Sequence, residues 1–132
     1  MSTTFHWPAL VTLATLLLLL WTGWMVARAR GTHKVPAPAT TGPEPFERVF
    51  RAQMNTVENA VLFLPALWLA AIYFSPRIAA IIGAIWVAAR FWYAFAYARN
   101  AKARHIPFTV SLAATLALIA IALWGVLTSP LW

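Results

Sequence analysis

Four stretches of this chain are almost wholly apolar: Ala9–Ala27, Ala60–Phe74, Ile78–Ala98 around Arg90, and Phe108–Leu127. Each approaches the ~20 residues that a helix needs to cross the hydrocarbon core of a bilayer. Barrel strands are a poor alternative, because they are ~10 residues long and alternate in polarity. The runs here are longer and do not alternate. With 62% hydrophobic and 10% charged residues, the composition departs from soluble domains, where about a quarter of residues are charged. Four spans use up most of the 132 residues and leave no room for a soluble domain. The expectation is one all-α integral membrane domain over residues 1–132. It is a four-helix bundle with helices at about 6–30, 45–74, 76–101 and 106–128. Four helices enclose little core, so oligomerisation is expected.

The first stretch could be mistaken for a secretory signal. Its leading segment, Met1–Pro8, lacks Lys and Arg, and its apolar run exceeds the usual signal core. It reads as a retained first helix. Arg28, Arg30 and Lys34 follow the first run, and Arg99, Lys102 and Arg104 follow the third. The turn between the second and third runs carries only Arg77. The positive-inside rule then puts the first and third loops in the cytoplasm and both termini outside. This asymmetry supplies most of the net charge of +7. Because the basic residues hug span ends, no nucleic-acid partner is expected. The chain has no cysteine, which excludes disulfides, a thiolate of its own and Cys metal sites. His6, His33 and His105 lack metal-ligand spacing, so no metal is expected.

Gly31–Pro45 holds four prolines and is expected to be irregular. Pro45 suits the first turn of the second helix, where Glu44 and Glu47 favour its dipole. Ser75 is a good N-cap and Pro76 a good first helical residue. Together they close the second and third helices into a tight antiparallel hairpin. Trp21, Trp24, Trp124 and Trp132 fit a membrane-interface belt or lipid-facing bulk. Lys34, Arg99 and Lys102 read as interfacial anchors for anionic lipid.

The second run has a polar lead-in, Phe46–Glu58, that holds Glu47, Arg48, Arg51, Gln53, Asn55 and Glu58. Charges carried into a span are costly unless paired or hydrated, so this segment points to a polar site. At about 100° per residue, Glu47, Arg51, Asn55 and Glu58 fall within an arc of about 80°, and Gln53 points to another side. On the third helix Arg90, Tyr93, Tyr97 and Arg104 fall within about 60°. Equal depth in the hairpin sets Glu58 near Arg90, Asn55 near Tyr93 and Arg51 near Tyr97. The two stripes line one crevice that opens inward. Guanidiniums grip carboxylates bidentately, and Glu58 can hold an ammonium. A small zwitterion with two carboxylates and one amine fits, and glutathione is such a molecule. A thiol of pKa about 8.5 is mostly protonated at neutral pH, and an adjacent arginine lowers it. Arg104, at the mouth, is the best placed for that task.

These residues carry a resemblance. The motif Glu47-Arg48-x-x-Arg51-Ala52-Gln53-x-Asn55-x-x-Glu58, the preceding Thr40-Thr41-Gly42-Pro43-Glu44-Pro45, and the later Arg90-x-x-Tyr93-x-x-x-Tyr97-x-Arg99 with Lys102-Ala103-Arg104 are similar to the MAPEG family. These are the membrane-associated proteins of eicosanoid and glutathione metabolism. The similarity runs from about Ala29 to Arg104 and is nearest the branch of leukotriene-C synthase and type-two microsomal glutathione transferase. It implies a homotrimer of four-helix bundles with glutathione, as co-substrate, lying between subunits. It implies that Arg51, Asn55, Glu58, Tyr93 and Tyr97 hold glutathione from one subunit while Arg30 and Gln53 reach it from the next. It implies that Arg104 stabilises the thiolate that attacks a lipophilic electrophile. With its short C-terminus the chain resembles a bacterial member, which implies an inner membrane with the site facing the cytoplasm.

Two departures bear on the substrate. Gly31 stands where the leukotriene-C synthases have a second arginine, and Asn59 replaces an aromatic ring beside the peptide. Both weaken a specific leukotriene synthase reading and leave thiolate activation, general conjugation and peroxide reduction in place. Two alternatives within the family are a lipid-binding scaffold without activity and a glutathione-dependent isomerase of lipid peroxides. Two arginines have competing readings. Arg48 either pairs with Glu44 or Glu47 or joins the site, and Arg90 is either a structural partner of Glu58 or a ligand for glutathione.

Overall fold

A computed structural model describes residues 3–130. After a short 3-10 turn at Thr3–Phe5, four helices follow: α1 (His6–His33), α2 (Glu44–Tyr73), α3 (Pro76–Arg99) and α4 (His105–Leu127). Another 3-10 turn, Ala101–Arg104, joins α3 to α4. All four helical segments are long and apolar enough to cross a membrane. With 30 residues at 1.5 Å per residue, α2 is longer than the hydrocarbon core is thick. Its polar first turns can therefore be helical and still lie beyond the apolar span.

Local chemistry explains the ends. Glu44 and Glu47 sit in the first turn of α2 with Pro45, where acidic side chains meet the exposed N–H groups and proline loses no helical bond. At the other end the Phe74 and Ser75 amides both donate to the Ala70 carbonyl at 3.0 Å. Ser75 then caps α3, its Oγ accepting from the Ile78 amide at 3.3 Å. The hairpin expected at Ser75-Pro76 is thus present. Three boundaries differ from expectation. Gly31–His33, read as loop, continue α1, which stops only where Lys34 takes the left-handed conformation, φ 54°. α3 ends at Arg99, because Asn100 is extended and its side chain accepts from the Lys102 amide. Ala101, read as the end of the third helix, instead opens a separate 3-10 turn, Ala101–Arg104.

α1 and α4 each pack against both helices of the α2–α3 hairpin. Buried positions on α1 are Pro8, Val11, Thr15, Leu18, Thr22, Val26 and Ala29, a single stripe at helical spacing. Leu13, Leu16, Leu17 and Leu20 on its other side are exposed, as expected where lipid or another subunit replaces water. At the centre the Phe63 ring stacks on Trp86, with centroids 3.9 Å apart and planes 4° apart. Leu18, Leu67 and Leu118 are fully buried beside them. Hydroxyls within the apolar helices satisfy themselves: Thr15, Thr56 and Thr115 each donate to the carbonyl four residues back, which removes the cost of an unpaired donor in hydrocarbon. Trp21 is half-buried and packs on Phe91 and Phe95 of α3, at 5.2 and 5.0 Å. Trp24 and Trp124 are exposed, and Trp132 lies outside the described residues.

The last turns of α4 approach the end of α2 backbone to backbone. A Cβ on Gly125 would collide with the Tyr73 carbonyl and stand 3.1 Å from the Phe74 amide nitrogen. Gly125→Ala is therefore expected to destabilise the bundle by about 1–3 kcal/mol, the range for overpacking a tight contact. Thermal unfolding in detergent would check this, and an unchanged melting temperature would contradict the close approach.

Candidate active site

The loop after α1, the start of α2, the end of α3 and the start of α4 lie at one end of the bundle. There a cavity of about 490 Å³ is lined by Arg51, Met54, Asn55, Glu58, Tyr93, Tyr97, Arg104, His105 and Phe108. Six of the residues singled out from sequence, Arg51, Asn55, Glu58, Tyr93, Tyr97 and Arg104, thus line one cavity. The α2 residues come from one helical stripe, and α3 brings Tyr93 and Tyr97 to face them. Arg104 arrives from the 3-10 turn that follows α3. Met54, His105 and Phe108 were not anticipated. His105 was set aside for lack of metal spacing, although it directly follows Arg104. Phe108 packs at a tilt on Tyr93, 6.3 Å between centroids.

The α3 side of the site alternates cations and rings. The Arg90 guanidinium lies 4.0 Å from the Tyr93 ring centroid and the Arg104 guanidinium 4.8 Å from that of Tyr97. The two phenol rings stack on each other at 5.7 Å. Such stacking orients guanidiniums without neutralising them, so the positive charge of Arg104 remains available to an anion in the cavity.

Arg90 is fully buried and does not line the cavity. Its Nη2 donates to Asn55 Oδ1 at 2.8 Å and Thr56 Oγ1 at 2.7 Å, and its Nη1 to Ser111 Oγ at 3.3 Å. Its Nε has no acceptor among the described residues. The pairing with Glu58 suggested by equal depth is not formed. Among the described residues the one ion pair joins Arg48 Nη1 to Glu44 Oε1 at 2.8 Å. Depth matching failed because it ignores the side from which each side chain leaves its helix. Thr56 is buried toward the core, whereas Glu58 is exposed on the cavity wall. Arg48 also donates to the Ala98 carbonyl at 3.4 Å, tying the start of α2 to the end of α3.

Arg30 and Gln53 lie away from this cavity. Arg30 Nη1 donates to the Ala39 carbonyl at 2.7 Å, and its guanidinium covers the Phe46 ring at 5.2 Å. Gln53 faces α1, its Nε2 3.4 Å from where a Gly23 Cβ would stand. At Gly31 a Cβ would meet nothing within 4 Å, so the missing side chain leaves open space. Asn59 Nδ2 donates to the Asn55 backbone carbonyl at 2.8 Å and to its Oδ1 at 3.3 Å. Among the described residues no group of His, Asp or Glu is arranged to hold a metal ion.

Four apolar helices and a polar cavity at one end, lined by Arg51 and Arg104 among others, define an integral, multi-pass membrane protein with a polar pocket beside its apolar spans. The model of the MAPEG family matches residues 8–124, and the chain belongs to that family. It is 45% identical over 131 residues to an uncharacterized protein of Synechocystis sp., covering 99% of this chain and 93% of the relative. It is 44% identical over 119 residues to leukotriene C4 synthase of Cavia porcellus, covering 90% and 79%. To microsomal glutathione S-transferase 2 of Mus musculus it is 43% identical over 103 residues, covering 78% and 70%.

Proposed function

We propose that this protein is a glutathione S-transferase that binds glutathione as a thiolate and conjugates it to lipophilic electrophiles drawn from the bilayer. The observation that carries the reading is the convergence of Arg51, Asn55, Glu58, Tyr93, Tyr97 and Arg104 on one cavity. Similarity to a leukotriene C4 synthase and a microsomal glutathione S-transferase supports the same chemistry. In this reading the guanidinium of Arg51 takes a carboxylate of the peptide, Glu58 its ammonium, and the phenols of Tyr93 and Tyr97 its amide and carboxylate oxygens. Arg104 faces the sulfur. The thiol gives its proton to solvent at the cavity mouth. The sulfur then forms a bond to the electrophilic carbon while the leaving group departs with its electron pair. A peroxide can replace the carbon electrophile: the thiolate sulfur attacks one peroxide oxygen, the O–O bond breaks and the alkoxide leaves as alcohol. A second glutathione then reduces the resulting sulfenic acid to give the disulfide and water.

The working unit in this reading is a homotrimer, with Arg30 and Gln53 of each chain completing a neighbour's cavity. Their position outside the chain's own cavity, on the α1 side, supports this division. The basic loops at the cavity end favour a cytoplasmic opening, and the Synechocystis relative supports a bacterial member of the family, for which an inner membrane is the location in this reading. The direct test is turnover of purified, detergent-solubilised protein with glutathione and 1-chloro-2,4-dinitrobenzene, in which chloride is displaced. Conjugation is the expected result, and failure to bind glutathione would overturn the reading. For the shared site, chains carrying Arg51→Ala mixed with chains carrying Gln53→Ala are expected to recover activity that neither variant has alone. No recovery would contradict completion across subunits.

A further inference from the structure

We propose that Arg90 and Asn59 are positioning residues that lock the Asn55 side-chain amide, so that Asn55 meets the bound thiol peptide only as a hydrogen-bond donor, to a carboxylate or carbonyl oxygen. The inference rests on the glutathione-binding reading above and assigns the chemistry of one wall of that site.

The direction of every hydrogen bond in this cluster follows from chemistry. Arginine carries only donors, so the Asn55 atom 2.8 Å from Arg90 Nη2 is its oxygen. Asn59 bonds the Asn55 main-chain carbonyl at 2.8 Å, an acceptor, so that end of Asn59 is its NH2 group. The same NH2 reaches Asn55 Oδ1 at 3.3 Å. A carbonyl oxygen has two lone pairs, and both are now used. What Asn55 has left for the cavity it lines is its own NH2 group, with two donors and no acceptor.

The lock is itself held. The Thr56 hydroxyl donates to the Ala52 carbonyl at 2.8 Å and the Ser111 hydroxyl to the Phe108 carbonyl at 2.9 Å. Each therefore turns its oxygen toward Arg90, which approaches at 2.7 and 3.3 Å. Arg90 cannot accept a proton or turn away, so the amide cannot flip without leaving a buried guanidinium facing an NH2 group. Glu58, one turn further along α2, offers only acceptors while ionised. The two neighbours thus divide the ligand between them: the ammonium belongs at Glu58 and an oxygen at Asn55. Asn59 occupies the position where the family resemblance expects an aromatic ring, and this chain uses it as a second lock.

The test is the dissociation constant for glutathione, measured on the detergent-solubilised wild type and on Asn55→Ala, Asn55→Asp, Asn59→Ala and the double variant Asn55→Ala/Asn59→Ala. Asn55→Asp replaces the donors by acceptors and is expected to bind at least about threefold more weakly than Asn55→Ala. Asn59→Ala is expected to weaken binding about three- to tenfold in the wild type and not at all in the Asn55→Ala background, because its effect passes through Asn55. Arg90→Lys, which keeps the charge and loses the fork, should follow the same pattern; if it does not fold, the Asn59 variants carry the comparison. Asn55→Asp binding as tightly as Asn55→Ala would mean that the ligand offers a donor there and would overturn the proposal. Equal losses from Asn59→Ala in both backgrounds would also overturn it. A wild type that does not bind glutathione would instead overturn the proposed function, and the ligand assignment with it.

Discussion

Arg104→Ala is expected to remove most thiolate chemistry while leaving glutathione binding partly intact. Arg104 lines the cavity mouth, stacked on Tyr97. A free thiol of pKa about 8.5 is only about 3% thiolate at pH 7. A guanidinium that brings it to about 6.5 raises that fraction to about 75%, so its loss costs about 25-fold in turnover at pH 7. The sign of the pH dependence follows. Above about pH 8.5 the thiol ionises without help, so the deficit of the variant should shrink as pH rises. The checks are turnover with 1-chloro-2,4-dinitrobenzene across pH and the ultraviolet absorbance of the bound thiolate. An unchanged thiolate signal would remove Arg104 from this role.

Glu58→Gln is expected to weaken glutathione binding about 10- to 100-fold, the range for a lost charge-assisted hydrogen bond. The step after binding should change much less, because in the proposed reading the carboxylate serves the ammonium and not the sulfur. Glu58 has no ion-pair partner among the described residues and lies on the cavity wall, so its charge is free for a ligand. Titration of binding alongside single-turnover conjugation separates the two effects. Unchanged affinity would rule out the ammonium role, and an equal loss in both measurements would point to participation in catalysis.

Arg90 marks where the reading of the chain and its folded form part company. The helical stripe grouped Arg90 with Tyr93 and Tyr97 on one side of α3, whereas Arg104, counted on the same helix, lies beyond its end in the 3-10 turn Ala101–Arg104. The stripe did not separate the three that reach the cavity from Arg90, which is buried behind it. Depth along the hairpin suggested a carboxylate partner, whereas three neutral oxygens serve instead. Thr56 and Ser111 carried no signal in sequence, because a hydroxyl in an apolar run reads as ordinary helix until its neighbours are known. Asn59 was visible only as a departure from an aromatic position, and the fold shows it bonded to Asn55, which lines the cavity. Residue type marked Trp21 for the membrane interface or a lipid-facing surface, and only the fold shows its contacts with Phe91 and Phe95.

The chain alone settles its class and groups most of the polar residues that line the cavity. Run length against bilayer thickness dictates four spans, and the 3.6-residue period brings Arg51, Asn55 and Glu58 to one side of α2, because both are properties of a single helix. The direction of the Asn55 amide, the burial of Arg90 and the close pass of Gly125 over Tyr73 belong to the packed bundle. They depend on how far each helix is rotated about its axis toward its neighbours, and that rotation is set by the side chains of all four helices together.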